Sequence, residues 1–312
     1  MELRPLGFGE IFDRAVTLYI RNFVPFAAIV MVLVLPTSIL QYVLDRGSQS
    51  EFDALLQIFT HPERVATTHI PTFFDSPALI AVFVALLLMS YLLWPFALNA
   101  VAVGVAFLYR NRPVDFRACY AIVLRRWLQT IGLILVDFCV VLAWYVITLL
   151  LVVAISVAAA LLVRISPALG FWVGLGIGLT TVVVMLPLLA PLFVALTFSM
   201  YAVVIEERGV FASVRLGFQR VFNGTEFWRA TLFAIATGAV LVGGSTVLGV
   251  VSLAVAFAHL PALEAIIDGL GRAVITPFAV VLLAIYYFDV RIRREAFDVE
   301  AGLERLSGTQ AA

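Results

Sequence analysis

Few residues in this 312-residue chain have both the type and the spacing to do chemistry. The three histidines are His61, His69 and His259, and none stands in a metal-ligand spacing such as HExxH. Glu51-Phe52-Asp53 sets two carboxylates close together, but its phenylalanine belongs to the apolar stripe of an amphipathic stretch. There is no GxSxG, no phosphate-binding glycine loop and no His/Cys/Asp constellation. The two cysteines, Cys119 and Cys139, are too few for a disulfide framework or a metal cluster. The expectation is a chain with no catalytic residues, no metal site and no cofactor.

Ionisable groups inside apolar runs are the usual mark of a transport path. Here Asp137 is essentially the one such group, and Asn99 is its nearest polar companion by type. A functional reading makes Asp137 a proton or substrate site. A structural reading gives it an interhelical hydrogen bond, or lets its carboxylate reach the interface near Arg125 or Arg126. The structural reading is preferred, because proton-coupled carriers usually need more than one such group.

The elements that must hold these residues are membrane helices. Apolar residues make up 63% of the chain and charged residues 13%, against roughly 45–50% and 25% in a soluble domain. Several apolar runs exceed the ~20 residues that cross a bilayer. Spans are expected at about Phe23–Leu44, Ala78–Tyr109, Ile131–Val163, Leu169–Val204, Ala230–Ala258 and Leu263–Val290. Asp45 to Ser76 reads as a polar loop, with EFDALLQIF forming a helix on the membrane surface. The short turn at Arg164–Pro167 implies an antiparallel helical hairpin. Gly170, Gly174 and Gly178 form a row of small residues that would let a neighbouring helix approach closely. Asp268 and Arg272, four apart, can pair as they enter the apolar layer. The charges from Glu10 to Arg21 interrupt any signal-peptide core, so none is expected.

Amphipathic stretches precede the first, third and fifth spans. LGFGEIFDRAVTLYIRNF puts Phe8, Ile11, Phe12, Ala15, Leu18, Tyr19 and Phe23 on one face. VDFRACYAIVLRRWLQ does the same with Phe116, Cys119, Tyr120, Val123 and Trp127. GVFASVRLGFQRVF sets Phe211, Val214, Phe218, Val221 and Phe222 against Ser213, Arg215, Gln219 and Arg220. Each even-numbered span carries a proline: Pro95, Pro191 and Pro277. Phe116, Phe211 and Phe297 follow them by 21, 20 and 20 residues. The chain therefore reads as one all-α membrane domain, residues 1–312, of about six spans in three parallel repeats of surface helix plus two-helix hairpin. The repeats cover residues 6–112, 113–208 and 209–294, and a tail occupies 295–312.

Of the twenty arginines, all but Arg46, Arg64, Arg164 and Arg272 fall on the side of the surface helices. By the positive-inside rule this places both termini in the cytoplasm of a bacterial inner-membrane protein. Arg14, Arg21, Arg125, Arg126, Arg215 and Arg220 are then candidates for lipid headgroups, each attracting anionic lipid by ~1 kcal/mol. The plainer reading is that they set topology and snorkel. Membrane lipids are the expected partners, with another membrane or cytoplasmic protein as a further one, and no nucleic acid.

Two stretches resemble a known family. LRPLGFGEIFDRAVTLYIRNF near the start and YYFDVRIRREAFDVE near the end are similar to the membrane domain named for bacterial glycerophosphoryl diester phosphodiesterases. The matching positions are Arg4, Pro5, Leu6, Gly9, Glu10, Ile11, Asp13 and Arg14, then Tyr287, Asp289, Arg291, Arg293, Glu295 and Asp298. Ala296 stands where the family pattern has glycine. In two-domain relatives the phosphodiesterase activity belongs to a separate soluble barrel with His, Glu and Asp metal ligands. The resemblance therefore implies a stand-alone membrane domain here, not an enzyme. The leading expectation is a non-enzymatic multi-pass protein that organises lipid or a partner protein through its surface helices. The alternative is a carrier for a lipid or amphipathic small molecule.

Overall fold

The computed structural model describes residues 5–60, 76–222, 224, 226–257 and 261–295. Arg4, His61, Arg64, His69, His259, Asp298 and Arg305 lie outside the described residues, as do the side chains of Glu51, Phe52, Asp53, Arg164 and Glu295.

Helices form wherever the apolar runs and amphipathic stretches predict them, and no strand occurs among the described residues. In chain order they are α1 (Phe8–Arg21), α2 (Phe23–Thr60), α3 (Pro77–Leu88), α4 (Trp94–Tyr109), α5 (Phe116–Arg125), α6 (Trp127–Ile165), α7 (Pro167–Ile205), α8 (Val210–Phe222), α9 (Glu226–Phe257) and α10 (Pro261–Glu295). Six segments are long and apolar enough to cross a membrane: Phe23–Leu44, Pro77–Tyr109, Trp127–Ala158, Leu188–Ile205, Glu226–Val255 and Ala262–Arg294. The chain is a multi-pass, all-α membrane protein.

Local chemistry explains the breaks. Ser76 caps α3 by accepting from the Leu79 N–H at 3.4 Å, with Pro77 in the first turn, where a missing N–H costs nothing. The second span, too long to cross straight, takes up a π-helical turn at Met89–Leu93 just before Trp94-Pro95. Beside Pro36, the Thr37 hydroxyl donates to the Leu33 and Val34 carbonyls at 2.8 and 2.9 Å. The helices α4 and α7 both stop at a left-handed residue, Asn111 (φ 56°) and Glu207 (φ 55°). Each lies 16 residues after its helix's proline.

Two expectations change. EFDALLQIF is not a separate surface helix; its backbone continues α2 without interruption to Thr60. At Gly178 an added Cβ would meet nothing within 4 Å, so no described helix closes on the glycine row there. Close approach occurs elsewhere, for example at Gly269 of α10, where an added Cβ would come within 2.6 Å of the Ser38 hydroxyl of α2.

The chain divides into two compact units: residues 1–124 with 239–312, and residues 125–238. This division does not follow the repeat boundaries read from the sequence. In the first unit α10 packs on α1, α2 and α4, and α2 packs on α3 and α4. From Ala279 to Ile292 α10 is buried throughout. In the second unit α6 and α7 form the expected hairpin, and α8 packs on α7 and α6.

Candidate functional site

The two motif-bearing stretches meet in the first unit. The residue before the α1 cap, Leu6, is buried, and its N–H donates to Asp289 Oδ1 at 2.7 Å. Arg293, one turn beyond Asp289 on α10, closes the arrangement. Its Nε donates to Asp289 Oδ2 at 2.8 Å and its Nη2 to the Leu6 carbonyl at 2.6 Å. A guanidinium fork is suited to this task because its donors lie in one plane and reach two acceptors together. Asp289 is fully buried, so both its oxygens are matched where an unmatched carboxylate would be expensive. The junction ties residues 283 and 287 positions apart in sequence.

The rest of the motif surrounds that contact. Gly7 is the N-cap of α1, and Glu10, three residues on, accepts from the Gly7 N–H at 2.8 Å. This is the reciprocal half of a capping box, and it gives Glu10 a helix-starting role. Asp13 is exposed. Arg14 is half-buried and acts electrostatically on the Tyr109 phenol at the end of α4, as does the Asp289 charge. Tyr109 in turn stacks on Phe288, ring centroids 4.5 Å apart. Tyr287 and Arg291 are buried on the same turns of α10. The motif thus holds together three helices, α1, α4 and α10.

Tyrosines of the surface helices fix them to spans in the same unit. The Tyr19 hydroxyl donates to the Val274 carbonyl at 2.6 Å, three residues before Pro277. The Tyr120 hydroxyl donates to the Ile29 carbonyl at 2.8 Å. Burial raises both phenols to about 12, Tyr120 with a further push from Cys119, so both remain protonated donors at neutral pH. The Cys119 thiol is raised to about 12 by burial and then by the Asp115 charge.

The second unit carries a different polar cluster, at the α7–α8 turn. Glu206 forms an ion pair with Arg220, its Oε1 2.7 Å from Nη1, with both side chains almost wholly buried. Next to it, Arg126 donates to the Glu207 carbonyl and to its carboxylate, each at 2.7 Å. Helix α8 reaches α7 through Gly217. An added Cβ there would collide with the Ala195 carbonyl and the Ser199 hydroxyl, and would sit 2.9 Å from the Ser199 nitrogen.

These contacts sort the sequence-predicted residues. Arg21, Arg125 and Arg215 are exposed and keep the surface placement expected of them. Arg14, Arg126 and Arg220 do not: each turns toward the protein and meets Tyr109, Glu207 and Glu206 respectively. Arg220 departs furthest, because α8 is rotated about one residue, or ~100°, from the expected face. Its buried side is Ser213, Gly217, Arg220 and Val221, while Phe211 is 82% exposed. The small residues let α8 approach α7 closely, and the phenylalanines are left to face outward. On α1 the buried face is Ile11, Ala15, Leu18 and Tyr19, as expected, but Phe8 and Phe23 are exposed.

Asn99 is buried in the first unit and Asp137 lies in the second. Asp137 Oδ1 is buried and finds no hydrogen-bond partner among the described residues. The interhelical hydrogen bond expected for it is therefore not made through Oδ1; nearby in sequence, Arg125 is exposed and Arg126 is engaged by Glu207. Asp268 and Arg272 pair as expected, at 2.8 Å. Among the described residues no group of three or more His, Cys, Asp or Glu is placed to hold a metal ion. Sequence reasoning missed Tyr109, Gly217 and the Glu206–Arg220 pair. The signal for the last was the acidic Glu206-Glu207 directly after an apolar span.

Comparisons with family models, with curated proteins and with solved structures find no match to this chain.

Proposed function

We propose that this chain is a non-enzymatic membrane protein that organises anionic lipid or a partner protein at the cytoplasmic face, through a collar of surface helices. In this reading it belongs with the membrane domain named for glycerophosphoryl diester phosphodiesterases. The observation that carries the proposal is the junction of Leu6, Asp289 and Arg293. The most family-like residues of both motifs engage one another, which suits a clamp that shapes the collar better than a site that turns over substrate. The exposed Arg21, Arg125 and Arg215 are then the working surface.

The test is lipid retention by the purified full chain. Replacing Arg21, Arg125 and Arg215 together by Gln is expected to reduce co-purifying anionic lipid, since each arginine contributes ~1 kcal/mol near an anionic surface. Unchanged retention, with thermal stability intact, would remove the collar reading.

The carrier alternative draws on one observation, the unmatched Oδ1 of Asp137 within a span. An intramembrane carboxylate is by default a functional site. If the carrier reading holds, Asp137→Asn abolishes pH-driven flux of amphiphile in reconstituted vesicles. If the collar reading holds, Asp137→Asn leaves lipid retention unchanged.

A further inference from the structure

The first unit holds a second site, at the opposite end of α10 from the motif junction. A cavity of about 430 Å³ lies between α2, the π turn with its flanking helices, and α10. That is within the ~300–1,000 Å³ range of small-molecule sites. Arg272 and Arg293 are 21 residues apart on α10, so ~31 Å separates their levels at 1.5 Å per residue. That is about one hydrocarbon thickness, which puts Arg272 at the other headgroup level.

The walls of the cavity combine two chemistries. Arg272, Gln41 and Thr37 supply polar groups on one side, while Phe83, Leu86 and Leu87 supply an apolar surface on the other. Arg272 has Asp268 as its partner at 2.8 Å through Nη2, and its side chain is 56% exposed. A guanidinium carries five donors, so most of the fork is open to a ligand. Ser90 and Tyr91 come to the wall from the π turn, and Trp94 follows it. Such turns are rare and recur at functional sites. Tyrosine and tryptophan at this level fit the aromatic layer of a membrane interface.

We infer that this cavity binds the phosphate headgroup of a glycerophospholipid, with Arg272 holding the phosphate and the Phe83–Leu87 wall taking apolar parts of the same molecule. The donors that Arg272 keeps outside the Asp268 pair select the phosphate, and the location within the membrane-spanning helices selects a lipid as its carrier. The inference is independent of the collar reading, since none of its residues belongs to the surface helices.

Native mass spectrometry of the full chain tests it, with phosphatidylglycerol, a diacylglycerol of the same acyl chains, and inorganic phosphate as separate probes. The wild-type protein is expected to retain phosphatidylglycerol in preference to diacylglycerol. Arg272→Gln should weaken that retention about tenfold, the scale of a lost charge-assisted hydrogen bond. Arg272→Lys should lie between the two, keeping the charge but losing the fork. Tyr91→Ala leaves the Asp268 pair intact and should also weaken retention, so it decides the matter if Arg272→Gln fails to fold. Equal retention of phosphatidylglycerol by wild type and Tyr91→Ala, or by wild type and Arg272→Gln, overturns the inference. So does inorganic phosphate displacing the lipid at equal concentration, which would make free phosphate the ligand.

Discussion

The ends of α10 and α7 make the same kind of stop in two different ways. Both helices carry a proline well inside and both have, at or within two turns of the end, a buried carboxylate matched to an arginine, Asp289 with Arg293 and Glu206 with Arg220. On α10 the arginine is one turn along the same helix, and the second partner is the backbone of Leu6 from the far end of the chain. On α7 the arginine comes from the next surface helix, α8, 14 residues further along the chain. The difference is one of reach. The α7 contact fixes a local elbow, whereas the α10 contact closes a loop that contains nearly the whole sequence.

That contrast predicts unequal costs when each pair is broken. Arg220→Met should be the more damaging, because Glu206 has a side chain only 8% exposed and would lose its 2.7 Å partner, with Arg208 at 4.0 Å a more distant one, at about 3–5 kcal/mol. Asp289→Asn should be milder, at roughly 1–3 kcal/mol. Its amide oxygen still accepts from Leu6, and Arg293, one-third exposed, can turn to water. Thermal midpoints in detergent give the comparison. Equal losses would mean that the two junctions are energetically alike despite their different reach.

The glycines sharpen the same comparison within the second unit. Gly217→Ala should destabilise by about 1–3 kcal/mol through overpacking, because the new Cβ meets the backbone of α7, which cannot rotate away. Gly178→Ala should be neutral or stabilise by up to ~1 kcal/mol from helix propensity, since its surroundings are open. Chain-extended glycine rows had pointed to Gly178 and not to Gly217. A loss at Gly178 would show that another surface covers that helix face.

What the sequence made legible follows from what is periodic. Spans came from hydropathy, and the first was read to the residue, Phe23–Leu44. The face of α1 and the Asp268–Arg272 pair came from helical spacing. The site was legible only as two motifs at opposite ends; that Asp289 would hold the Leu6 N–H depends on tertiary placement, which no local pattern encodes. The α8 face failed for a definable reason. In water, phenylalanines at helical spacing mark the buried side, but beside lipid both sides of a helix can be apolar. The small residues Ser213 and Gly217 then decide which side packs. The continuation of α2 past Asp45 was missed because polar composition was taken as the end of a helix when it marked only the end of the apolar layer.

A cap mutation tests the α10 junction from its other side. Glu10→Ala removes the acceptor for the Gly7 N–H and should cost ~1 kcal/mol, as for other helix caps. Its effect should be partly lost in an Asp289→Asn background if the cap works by presenting Leu6 to α10. Full additivity would make the cap a property of α1 alone.

The smallest expected effect concerns pH and distinguishes α5 from α8. Cys119 on α5 has a thiol raised from its ordinary value near 9 to about 12, by burial first and by Asp115 second. The raised group binds its proton more tightly in the folded state than in the unfolded state. Its contribution to stability is therefore complete below pH ~9 and declines as pH rises toward 12. Helix α8 has neither cysteine nor tyrosine between Val210 and Phe222, so it carries no such liability. Cys119→Ala should accordingly flatten the fall in thermal midpoint above pH 9 while leaving the neutral-pH midpoint nearly unchanged, the loss of one sulfur being a small change in volume. A slope identical to that of the wild type would place the alkaline sensitivity elsewhere. The buried phenols of Tyr19 and Tyr120 would then be the next groups to replace, since each must also shed a tightly held proton before it can ionise.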